Sequence, residues 1–120
     1  MITRATWSSE SDAGLAKALP CPVLRSIVAD EVTRGVSNLW RCTTDQHQAW
    51  AVTRLDHNPD ELVVVAFEGS GMLTFGPMFV RAAQAANVPL RAHVTSPLVE
   101  RLLRRLKLTR SEVILRTRAA

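Results

Sequence analysis

Leu62-Val63-Val64-Val65-Ala66-Phe67, followed at once by Glu68-Gly69-Ser70-Gly71, is the part of the chain from which its architecture is read. The apolar run is of strand length, valine-rich and hydrophobic on both faces, which marks a strand buried inside a sheet. Downstream, Met78, Phe79, Ala82, Ala83 and Ala86 recur at helical spacing, with Arg81 and Gln84 off that face. This predicts a helix over 77–86, with Pro77 in its first turn and Thr74 or Gly76 as its cap. Asn87-Val88-Pro89 closes the helix, and Leu90–Val94 reads as the next strand. Strand, helix and strand make a β-α-β crossover, whose two strands run parallel when they share a sheet.

The same reading extends both ways. Toward the C-terminus, Thr95 or Ser96 caps a last helix that begins at Pro97 and turns Leu98, Val99, Leu102 and Leu106 inward. Glu112 to Arg118 then alternates as a strand. Toward the N-terminus, His57-Asn58-Pro59-Asp60 is a turn, and Asn38–Thr43 and Ala49–Leu55 form an antiparallel hairpin around residues 44–48. Val23, Leu24, Ile27, Val28 and Val32 follow helical spacing between Pro22 and Gly35. A short helix over Ala13–Leu19, broken by Pro20-Cys21-Pro22, and a first strand over Ile2–Trp7 complete the order. The expected class is α/β: one domain, 1–120, with a mixed central sheet, antiparallel N-terminal strands and helices on both faces.

Composition narrows the function classes. The 120 residues are 47% hydrophobic and 22% charged, which is ordinary for a globular domain. The longest apolar run is the strand just quoted, far short of the roughly 20 residues a bilayer-crossing helix needs. The first residues, Met1-Ile2-Thr3-Arg4-Ala5-Thr6-Trp7, lack the apolar core of a secretory signal, so a cytoplasmic location, or one inside a particle assembled in the cytoplasm, is expected. Cys21, Cys42, His47, His57 and His93 are scattered rather than paired, so no metal site is expected. The formal charge is +4, and residues 97–120 hold seven basic and two acidic side chains, leaving eight basic and nine acidic in 1–96. A basic segment of this kind attracts phosphate or an acidic protein. No aromatic residue lies beyond Phe79 to stack on a base, so nucleic acid is the least favoured partner.

Ligands of open α/β sheets sit beyond the carboxyl ends of parallel strands, where helix N-termini offer free N–H groups. Here that region gathers Glu68-Gly69-Ser70-Gly71 and Thr95-Ser96. Glycines also simply terminate strands, and Ser-Pro also simply begins a helix, so both readings stand at this point. As a general base, Glu68 at the end of the central strand is the first candidate and His93 in the next strand the second. A turn carboxylate and a hydrogen-bonded sheet histidine are the plainer roles.

The order of elements, together with the segment from Val88 to Leu108, resembles the GNAT superfamily of acyl-CoA-dependent N-acyltransferases. Within it the likeness is closest to small GNAT-fold proteins of tailed bacteriophages, some of which are virion components. The resemblance implies acetyl-CoA or another acyl-CoA as cofactor. Its pantetheine arm would run beside Ala66 and Phe67 in a gap between splayed parallel strands, with its pyrophosphate at Gly69-Ser70-Gly71. Ser96 would stand where the family often has an asparagine, and Arg101 or Arg104 would meet cofactor phosphate. The acceptor would be an amine on a small molecule or a protein.

Two departures are plain in the residues. Glu68 precedes the glycines where the family's loop usually opens with Gln or Arg, and no tyrosine exists in the chain to reprotonate the leaving thiolate. Two functions therefore follow from the resemblance: an N-acyltransferase, or a non-catalytic GNAT-fold protein kept for assembly, for example in a phage particle.

Overall fold

The structure, a computed structural model, describes residues 1–92. Its elements are β1 (Ile2–Ala5), α1 (Ser9–Gly14), α2 (Pro22–Thr33), β2 (Ser37–Thr43), β3 (Gln48–Asp56), β4 (Glu61–Gly69), α3 (Met72–Ala85) and β5 (Leu90–Ala92). The five strands form one mixed sheet in chain order, β1-β2-β3-β4-β5. The first three pairings are antiparallel, and β4 pairs with β5 in parallel through Leu62–Leu90, Val63–Arg91 and Val64–Ala92. This is an α+β arrangement with a layer of helix on each face. The predicted last helix, the strand over 112–118 and the end of the Leu90–Val94 strand lie outside the described residues.

Two cores share the sheet. On one face Leu39, Trp50, Val52 and Ala66 pack against Leu15, Leu19 and Val28, from α2 and from the segment joining it to α1. On the other, Cys42, Ala49 and Ala51 pack against Phe75 and Phe79 of α3. Because side chains alternate along a strand, β3 supplies both cores, and Ala49 through Thr53 are all buried. That corrects the expectation for β4. Leu62 to Val64 are paired on both sides, but within the strand only Val63 and Ala66 are buried, because the cores meet on the middle strand.

Pairing between β3 and β4 shifts register once. Val52 faces Ala66 and Thr53 faces Val64, so Val65 is an extra residue, a β-bulge. A bulge bends its strand and interrupts the ladder locally. β4 then continues through Phe67 and Glu68 to Gly69, beyond the last described residue of β5.

Three helix expectations change. α3 begins at Met72, not near Pro77, and Pro77 lies inside it. Phe75, fully buried against the sheet, fixes the first turn there despite the N–H missing at Pro77. α1 begins at Ser9, not Ala13, because Ser8 and Ser11 form a reciprocal capping box. In α2 only Val28 is fully buried, with Val32 packed beside it, while Val23, Leu24 and Ile27 face outward. Two polar side chains set that rotation. Arg25 donates from Nη1 to the Leu19 carbonyl at 2.7 Å, and Glu31 accepts from the buried Ser37 hydroxyl at 2.9 Å.

Glu31 also opens an ionic chain across the lower end of the sheet. Arg54 reaches Glu31 at 3.4 Å and Asp56 at 2.6 Å. Arg91 reaches Asp56 at 3.2 Å and Glu61 at 3.3 Å. These half-buried side chains join α2, β3, β4 and β5 at the end opposite the glycine loop.

Candidate functional site at the end of β4

Six of the candidate residues come together where β4 ends and α3 begins: Ala66, Phe67, Glu68, Gly69, Ser70 and Gly71. His93, Ser96, Arg101 and Arg104 lie outside the described residues. Ala66 is buried in the core beneath α1 and α2, while Phe67 turns to the α3 side, its ring centroid 6.5 Å from that of Phe75. Glu68 stands opposite Trp50 in the ladder, and Trp50 stands opposite Arg41. Residues directly opposite share a face, so Glu68, Trp50 and Arg41 form one row across the sheet. The Arg41 guanidinium lies over the Trp50 ring at 4.6 Å, and its Nη2 donates to Gln48 Oε1 at 3.0 Å. Arg41 is thus held by Trp50 and Gln48, and no described cation pairs with Glu68.

The loop itself is seated on the β2–β3 turn. Ser70 N–H donates to the Gln48 carbonyl at 3.0 Å. Its Oγ accepts from the Gln48 N–H at 3.3 Å and lies 3.2 Å from His47 Nδ1. With one lone pair taken by Gln48, the hydroxyl proton is free to point at His47 Nδ1. A Cβ at Gly69 would fall 2.3 Å from the Gln48 carbonyl oxygen, and one at Gly71 would fall 2.7 Å from His47 Cβ. Both glycines have positive φ, 131° and 86°. Close approach and backbone conformation together require glycine at each position.

Gly71 leads straight into α3. Its carbonyl accepts from the Thr74 and Phe75 amides, and the helix has no side-chain cap. The amides of Met72 and Leu73 therefore head the helix at the carboxyl end of β4, where the macrodipole favours negative charge. The correction to the helix start matters here, because glycine loop and helix are continuous.

His47, Gln48, Arg41 and Trp50 escaped the sequence reading as site residues. The usable signal was register: an antiparallel β3–β4 pair must set the start of β3 beside the end of β4, bringing residues 47–50 to the glycines. Cys42 lies nearby in the α3-side core, and burial pushes its thiol up to about 11, so it stays protonated at neutral pH. No cluster of metal-ligating side chains occurs among the described residues. No helix among them is long and apolar enough to cross a membrane.

No known protein family matches the chain, and no curated protein is similar to it.

Proposed function

We propose that this chain is a GNAT-type protein that binds an acyl-CoA at the carboxyl end of β4 and transfers the acyl group to an amine. The observation that carries this reading is the relation of β4 to its neighbours. β4 runs parallel to β5 at Leu62–Val64, bulges at Val65, and continues to Gly69 directly before the uncapped start of α3. That arrangement supplies peptide edges for an extended arm and helix amides for a phosphate.

A pyrophosphate fits the donor set in one respect: the Met72 and Leu73 amides have no side chain competing for them. The coenzyme, when bound, supplies the thioester. In this reading the backbone beside Ala66 and Phe67 orients the carbonyl and stabilises the developing oxyanion. Glu68 would take the proton from the attacking amine, with His93 as the second candidate, while the C–S bond breaks and the departing thiolate takes a proton from water; Ser96 and Arg104 would contact the cofactor.

A second reading rests on a separate observation. Packing against residues 47–49 already accounts for Gly69 and Gly71. This favours a GNAT-fold protein without catalysis, serving in assembly, for example as a phage virion component. Melting the full chain with increasing coenzyme A or acetyl-CoA separates the two. A midpoint that climbs with ligand supports the acyltransferase reading. An unmoved midpoint at millimolar ligand discards it and leaves the assembly role.

A further inference from the structure

α2 carries an apolar stripe that the other described residues leave uncovered. Val23 is 68% exposed, Ile27 51% and Leu24 46%. Val23, Ile27, Asp30 and Arg34 follow one another at intervals of four, three and four residues. That is the spacing of a seam along which one helix packs on another. The upper half of the seam is apolar and the lower half is an exposed Asp30–Arg34 pair at 3.1 Å.

We propose that this face docks a second copy of the chain, α2 against α2 and antiparallel, with Val23 of each copy on Ile27 of the other. The charges choose the arrangement. Parallel packing would set Asp30 against Asp30 and Arg34 against Arg34. Antiparallel packing with full overlap would press Ile27 onto Asp30 and Val23 onto Arg34, stripping water from charges with nothing gained. Sliding one helix along the other by about two turns sets Val23 on Ile27 twice, once on each side of a two-fold axis, with Leu24 at the flank.

In that register Asp30 falls beside the first turn of the other copy's α2. This turn needs a carboxylate. Cys21, its N-cap residue, makes no side-chain cap bond, and the first turn contains no acidic residue. A carboxylate from the second copy complements the positive end of the helix and its free amides. One contact thus covers the apolar residues and supplies the missing cap.

The inference is independent of the acyl-CoA reading. Light scattering of the full chain across a concentration series should show the mass rising from one chain to two. Ile27→Glu should hold it at one chain, with an unfolding midpoint nearly equal to the parent's at concentrations where the parent is also one chain, because Ile27 already faces solvent. Register is tested in a Cys21→Ser background by mixing a Val23→Cys chain with an Ile27→Cys chain under mild oxidation. A covalent dimer should form in the mixture and far less with either chain alone. A one-chain mass at every concentration overturns the proposal, leaving residues 93–120 or another protein to cover the stripe. A dimer that survives Ile27→Glu, or cross-linking equal in all three samples, overturns it as well.

Discussion

Gly71 and His47 lie so close that a methyl group on Gly71 would sit 2.7 Å from the His47 Cβ and 2.8 Å from its Cγ. The contact joins the loop after β4 to the turn between β2 and β3. It fixes where α3 leaves the sheet, and it occurs at a φ of 86°.

Gly71→Ala should therefore destabilise the protein by about 2–3 kcal/mol, combining left-handed backbone strain with crowding. Urea unfolding measures it. Adding His47→Gly should return only the crowding share, because the backbone strain remains. Full recovery would mean that strain at Gly71 is negligible.

Glu68→Gln tests the proposed chemistry apart from cofactor binding. With acetyl-CoA and an amine acceptor, transfer should fall by about 100-fold or more. The acetyl-CoA-dependent rise in melting temperature should persist, since the amide keeps the shape of the carboxylate. Unchanged turnover would remove Glu68 as the base and bring His93 forward.

At the other end of the sheet, Asp56 should govern stability in acid. Hydrogen bonds from Arg54, then the charges of Arg54 and Arg91, hold its carboxyl below the usual range against the opposing effect of burial. The stability it contributes is complete above the unfolded-state value of about 3.9 and is lost as pH falls below that toward the lower folded value. Asp56→Asn should cost about 1–3 kcal/mol at pH 7. The variant should also show a flatter fall in melting temperature below pH 4 than the parent.

The two thiols should respond differently to alkylation. Cys21 is exposed, whereas Cys42 is buried and its thiol is pushed up to about 11. Iodoacetamide at neutral pH should add one group to the native chain and two after unfolding, read by mass. Two rapid adducts on native protein would mean that the core beneath α3 opens readily.

The sheet was largely legible because its signals are local. The Leu62–Phe67 run, the β2–β3 hairpin and the β-α-β unit are each written in contiguous residues. Errors collected where a distant partner decides. Phe75 pulled the start of α3 back from Pro77, and Arg25 and Glu31 turned α2 so that Val23, Leu24 and Ile27 point outward. The site was half legible for the same reason. Glu68 to Gly71 stand together in sequence, whereas His47 and Gln48 reach them only through the β3–β4 pairing. Local pattern also did not register the Val65 bulge, since an extra valine among valines leaves the hydrophobic run unbroken.

The strand order β1-β2-β3-β4-β5 bears on how the molecule is made. Each described strand pairs with the one that follows it in the chain, but β1 must wait across α1 and α2 for β2, and β4 across α3 for β5. Only the β2–β3 and β3–β4 closures are short, so the three-strand meander is the part of the sheet favoured to form first. On a nascent chain the β2–β3–β4 meander can therefore pair as it leaves the ribosome, while the second face of β3 stays open until Phe75 and Phe79 arrive with α3.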